Sequence, residues 1–120
     1  MHPKIANVPD DLQHLFPLTP AVFFILFALA EGEKHGYAIM QEVAVLSDDK
    51  FRMGPGTLYT TIQRLLELSL IEETATEAGG RRRYYRLSRT GRVVLKAEVA
   101  RMDAVVRLAA DRKLAPQGGT

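Results

Sequence analysis

The chain has 120 residues, a net charge of +2 and no cysteine. That length allows one modest core, or one core plus an oligomerisation helix. The missing cysteine excludes disulfides, thiolate zinc sites and thiol catalysis, and fits a cytoplasmic location.

Charge is unevenly placed. Residues 1–80 hold five Lys/Arg against eleven Asp/Glu, and residues 81–120 hold eleven against three. The basic footprint is therefore local, as expected of a chain that meets a polyanion with one end of its surface.

Residues 1–17 contain Pro3, Pro9 and Pro17 among scattered polar groups and read as a flexible arm. No basic stretch precedes an apolar run, so a signal peptide is not expected. His2 and His14 stand alone, without metal-ligand spacing, and no metal or cofactor is expected.

Thr19 and Pro20 form an N-cap followed by proline at the first helical position. The run AVFFILFALAEG that follows is apolar nearly all round. It is far too short to span a bilayer, so it must be buried on more than one side. One side can pack on its own domain. Phe23, Phe24 and Phe27 are expected on the other, against a second subunit.

Gly32 and Gly36 bracket a short turn. A second helix follows from about Gly36 to Leu46, with Tyr37, Met40 and Ala44 reading as an inward stripe beside Ile39 and Val43. His35 reads as a cap or a surface group. After a polar loop, Phe51-Arg52-Met53 reads as a short extended piece pinned to the core.

The centre of the chain is GPGTLYTTIQRLLELSLIEE. Pro55 suits the first turn of a helix. Leu58, Ile62, Leu65 and Ser69 share one face, and Thr60, Arg64 and Glu67 share the opposite one. Thr61 and Gln63 flank the polar side. Two hydroxyls, an amide and a single cation suit base edges and phosphates. An ordinary solvated helix face has the same look.

A strand from Ile71 to Thr76 then leads to Gly79-Gly80, which can adopt the positive φ angles of a tight turn. Residues 79–92 carry six arginines and no acid. Alternation turns Tyr85 and Leu87 inward and leaves Arg81 and Arg82 at the tip. Arginines this dense repel one another unless a polyanion is the partner. A helix feeding a basic two-stranded hairpin is the plan of a winged helix-turn-helix, which binds duplex DNA.

Ser88 caps a last helix from about Arg89 to Arg112. Gly91 in its first turn allows close approach of another element. Leu95, Val99, Met102, Val106 and Ala109 repeat at four, three, four and three, the seam of a paired helix. Such a helix is about 36 Å long, more than one small domain can cover. It reads as a dimerisation helix. The fold class is thus mainly α with a small β-hairpin. It divides into an arm (1–17), a winged helix-turn-helix (18–88), a C-terminal dimerisation helix (89–112) and a fraying tail (113–120).

Three segments also carry a family resemblance: HGYAI at 35–39, GTLYTTIQRLLELSLI at 56–71 and GGRRRYYRLSRTG at 79–91. In order and spacing they resemble the PadR family of bacterial transcriptional regulators, from about residue 18 to about 110. Thr60 stands where that family often has proline. The resemblance implies a homodimeric repressor on a dyad-symmetric operator, released by a small aromatic or amphipathic effector. With the polar face and the wing, it puts Tyr37, Thr57, Tyr59, Thr60, Thr61, Arg64, Arg81, Arg82 and Arg83 on DNA. Tyr37 can equally be a half-buried core residue. Phe23, Phe27, Met102 and Val106 can line an effector site or simply pack. Effector stacking on tryptophan is not open to a chain without Trp.

Neither an enzyme nor a membrane protein is expected, because the histidines lack a carboxylate constellation. The competing reading is a winged-helix interaction or architectural module without effector control.

Overall fold

A computed structural model describes residues 4–74 and 82–114. In chain order the elements are α1 (Pro20–Ala28), β1 (Lys34–His35), α2 (Gly36–Leu46), α3 (Pro55–Glu67), β2 (Ile71–Thr74), β3 (Tyr84–Leu87) and α4 (Arg89–Asp111). A short 3-10 helix, Asp10–Leu15, precedes them. The sheet is antiparallel with β3 central, in the order β1-β3-β2.

The three-helix core forms for the reasons legible in the chain. Thr19 caps α1, its hydroxyl accepting from the Val22 amide at 3.2 Å. Ile25, Leu26 and Leu29 of the α1 region meet Ile39 and Val43 of α2 and Leu58 and Leu65 of α3, all essentially inaccessible. Tyr37 does not belong to the inward stripe of α2: it is 61% exposed. The buried face is set by Gly36, Ile39 and Val43, and a residue one position from Gly36 is turned about 100° away from it.

Ser69 does not share the apolar face of α3 as expected. The helix stops at Leu68, and Ser69 turns left-handed at φ 59°. The Ser69 amide donates to the Leu66 carbonyl and the Leu70 amide to the Leu65 carbonyl. That pair of bonds is a Schellman stop, with buried Leu70 against buried Leu65 as its apolar contact. Ser69 is thereby exposed, and Leu70 takes the core position.

The same turn receives α4. The Ser88 hydroxyl accepts from the Gly91 amide at 2.9 Å and donates to the Ser69 carbonyl at 2.6 Å. The Ser88 amide donates to the Leu70 carbonyl at 3.1 Å. A Cβ on Gly91 would overlap that carbonyl oxygen, so α4 starts in contact with backbone.

The amino-terminal segment is not the loose arm expected from its prolines. Val8 and Leu12 are buried in the common core. Gln13 closes the segment on itself, donating to the carbonyls of Ile5 and Val8 and accepting from the Ile5 amide. Leu18 is tied to α4, its amide donating to the carboxylate of Glu98 at 2.8 Å. Glu98 is 1% exposed and also accepts from the Arg101 guanidinium. A charge this buried is stable only with such partners.

Two residues expected at a subunit interface also pack within the protomer. Leu95 is buried within it, and Phe24 stacks on Phe51 with ring centroids 5.9 Å apart. Past Arg101, the last residue of α4 that meets the amino-terminal segment, α4 leaves the domain, and its side away from that segment is open from Val99 onward. Val99, Met102, Val105, Val106 and Leu108 are all exposed, and Ala109 is half-buried. Phe27 is exposed and Phe23 half-buried.

Gly91→Ala should therefore be poorly tolerated, because a backbone carbonyl cannot step aside. A loss of about 1–3 kcal/mol is expected from overpacking, read as a lowered midpoint in urea unfolding. Unchanged stability would mean that α4 does not start against Leu70.

Candidate nucleic-acid interface

α3 presents its polar side to solvent because Leu58, Ile62 and Leu65 consume the opposite side. Thr57, Tyr59, Thr60, Gln63, Arg64 and Glu67 are all exposed. Thr61, at the edge, is half-buried and donates its hydroxyl to the Thr57 carbonyl at 2.7 Å. Its oxygen keeps lone pairs for an incoming donor. Tyr59, Thr60, Gln63, Arg64 and Glu67 together line a shallow, open depression along the helix.

One flank of α3 meets the start of α2 and the wing. A depression of about 350 Å³ there is lined by His35, Gly36, Tyr37, Tyr59, Arg82, Arg83 and Tyr85. Gly36 makes room for it: a Cβ at this position would overlap the Tyr59 hydroxyl. β1 pairs His35 with Tyr84 and Lys34 with Tyr85, which draws the start of α2 onto the wing. Tyr85 is buried, and burial first, then the negative charge of Glu73, pushes its phenol above the ordinary tyrosine range, with Arg83 opposing.

The other flank meets the amino-terminal segment, where His14, Pro17 and Thr19 share a depression with Thr61 and Arg64. Nothing in the chain's periodicity marks this neighbour.

Most of the residues read from the sequence as DNA contacts thus lie on one continuous surface: Tyr37, Tyr59, Arg82 and Arg83 on the wing side, Thr57, Thr60 and Arg64 along α3, and Thr61 at its edge. Arg81 lies outside the described residues. The other arginines of the run have separate duties. Arg86 pairs with Glu72 across the β-ladder at 3.1 Å, and Arg92 donates to the Ala30 carbonyl. His35 was read only as a cap or surface group. It is the cap of α2, accepting from the Ala38 amide at 3.3 Å, and it also faces Arg82.

The residues proposed for an effector site are only partly brought together. A groove of about 510 Å³ is lined by Phe27, Ala30, Leu95, Val99 and Ala100, with Arg92, Lys96 and Asp103 around it. Phe23, Met102 and Val106 do not line it. Among the described residues no cluster of three His, Asp or Glu could hold a metal, and no helix is long and apolar enough to cross a membrane.

A helix-turn-helix with an arginine-bearing hairpin at its side defines the winged-helix class of nucleic-acid binder. Comparison with known proteins agrees. The model of the transcriptional regulator PadR-like family matches residues 25–97. A transcriptional regulator of Mycobacterium tuberculosis is 36% identical over 84 residues, covering 69% of this chain and 76% of that one. A PadR family transcription regulator from Clostridium difficile superposes with a TM-score of 0.66 at 23% identity, over 78% of this chain and 97% of that one. Bacillus subtilis PadR in complex with operator DNA gives a TM-score of 0.59 at 22% identity, over 67% of this chain and 46% of that one. The chain belongs to the PadR-like family of transcriptional regulators, and its general role is that of a DNA-binding regulator.

Because the Tyr59 hydroxyl is the free end of a half-exposed side chain, Gly36→Ala should be tolerated where Gly91→Ala is not. The expected stability change is within about 1 kcal/mol, accompanied by a displaced Tyr59 ring, seen as shifted aromatic proton resonances. Unmoved Tyr59 resonances would contradict the packing described.

Proposed function

We propose that the protein is a homodimeric repressor that binds a dyad-symmetric operator through α3 and the wing and is released by a small effector. The observation that carries this reading is the continuous surface joining Tyr37, the polar face of α3 and Arg82–Arg83, with one subunit's worth of apolar helix left uncovered on α4.

The physical roles divide. Arg64 reaches from mid-helix and, among the described residues, makes no ion pair, although Glu67 is only three residues away. It is assigned to base reading, where a bidentate contact to guanine is worth roughly 1–3 kcal/mol of discrimination. Thr60 offers a methyl to thymine. Thr57, Thr61, Tyr37 and Tyr59 offer hydroxyls to phosphates. Arg81, Arg82 and Arg83 supply affinity that is insensitive to sequence.

Two-fold pairing is supported by the exposed run of Val99, Met102, Val105, Val106 and Leu108, too much apolar surface for a lone helix in water. Phe27 continues the patch toward the domain. Two reading helices related by a two-fold axis would meet half-sites about one DNA turn apart. Bacillus subtilis PadR, of the same fold, is known with operator DNA bound. The groove between Phe27 and Val99 is the natural place for an aromatic or amphipathic effector, since a ligand there would bear on the subunit contact. A regulator of this kind works in the cytoplasm, with the chromosome.

Protection mapping on the DNA flanking the protein's own gene tests the reading, with two protected half-sites expected. Sedimentation equilibrium should give twice the chain mass of 13.4 kDa. Val99→Asp with Met102→Asp should yield monomer, because it would bury unpaired charge. A monomeric wild type would sink the dimer.

Arg64→Ala should flatten preference among single-base operator variants while leaving fold and dimer intact. Competition assays decide this: equal loss on every variant and on random duplex would reduce Arg64 to a phosphate contact.

A further inference from the structure

We infer that His35 is a DNA-backbone ligand: its Nε2–H and the Arg82 guanidinium converge on one phosphate oxygen in the depression between α2, α3 and the wing. The inference rests on the DNA-binding reading above and adds to it a residue, an atom and a ligand group.

The geometry begins with a conflict. His35 Nδ1 lies 3.3 Å from the Ala38 amide, and His35 Nε2 lies 3.3 Å from Arg82 Nη1. Both neighbours are donors, since a guanidinium has no acceptor. A neutral imidazole has one unprotonated nitrogen, so it can accept only one of these bonds. The Ala38 amide has the stronger claim. It belongs to the first turn of α2, where no carbonyl lies four residues back within the helix, and it is partly buried. Leaving it unpaired costs more than leaving Arg82, which is exposed and hydrated. The lone pair therefore sits on Nδ1 and the proton on Nε2.

Two donors then face each other, His35 Nε2–H and Arg82 Nη1–H, with no acceptor between them among the described residues. Such a pair is satisfied by an oxygen that takes both bonds. The surroundings select an anionic one. The depression is lined by Tyr37, Tyr59 and Arg83 as well, and among the described residues no carboxylate lines it. The imidazole is held edge-on by Tyr84, with centroids 5.5 Å apart at 90°, so its Nε2 edge is fixed in direction. The pairing of His35 with Tyr84 in the sheet fixes the same register through the backbone. The site lies beside α3 on the wing side, where a strand of duplex would pass if the helix entered the major groove.

The residue thus has two jobs on two nitrogens. Nδ1 caps α2 and Nε2–H binds phosphate. Asparagine separates them, because it caps a helix well and is too short to present a donor at the position of Nε2.

The experiment uses the full chain, its His35→Asn variant, a mixed-sequence duplex of about thirty base pairs at low salt, and inorganic phosphate alone. Long-range nitrogen–proton spectra of the imidazole should show the proton on Nε2 in the free protein, and that signal should move when duplex is added. His35→Asn should keep its helix content and thermal midpoint and lose roughly tenfold in duplex affinity, the scale of one hydrogen bond to a charged group. A proton on Nδ1, or a variant that binds duplex as the wild type does, overturns the inference. So does a signal that responds to inorganic phosphate but not to duplex. Should His35→Asn fail to fold, the wild-type spectra decide alone. A wild type that binds no duplex sinks the DNA-binding reading too, whereas duplex binding without a His35 response sinks only this one.

Discussion

The turn at Ser69–Leu70 is the joint on which the rest of the architecture depends. Four groups meet there at backbone distance: the end of α3, the start of β2, the Ser88 hydroxyl and the bare Cα of Gly91. A Schellman stop aims the chain out of the reading helix and into the wing. The serine cap then aims the returning strand into α4. Because each of these contacts ends on a backbone atom, they hold the long helix, the reading helix and the hairpin in one fixed relation. A DNA-binding surface made of three elements needs that rigidity more than it needs any single side chain.

Around the joint α2 and α3 keep their buried apolar residues on one side, whereas α1 is apolar nearly all round and α4 stays apolar past the domain. That leaves α3 with a polar face and leaves the far end of α4 apolar and uncovered. These two surfaces have opposite chemistry and separate places. One fits a hydrated polyanion and the other fits a second copy of itself.

Much of this was legible in the sequence because it is written in periodicity. α2, α3 and α4 follow from apolar spacing, and both caps at Thr19 and Ser88 follow from residue type. Three features were not legible. β1 is two residues long, too short for any alternation to register. The segment before Pro17 looked loose because its prolines outweighed Val8 and Leu12, whose spacing of four is the only sign that it packs. Glu98 is an acid on the inward side of α4, three residues after Leu95. A charge at that position signals a partner, and Arg101 three residues on is a local one, but the amide of Leu18 lies eighty residues away, where no local pattern reveals it. The site was read best where side chains point outward. Tyr37 was ambiguous because one position of helical phase decides between core and solvent, and His35 because its second role depends on a residue across the sheet.

The bond between Glu98 and Leu18 also bears on how the molecule withstands handling of its front end. Residues 4–18 are a cover, held by one carboxylate and by the buried side chains of Val8, Leu12 and Leu18. Proteases that nick exposed loops would find little purchase there while the carboxylate holds. Once it lets go, the cover would lift as a unit. A bulky group fused ahead of Lys4 need only leave the cover seated to be harmless, whereas a deletion reaching Leu12 would strip a wall from the hydrophobic interior.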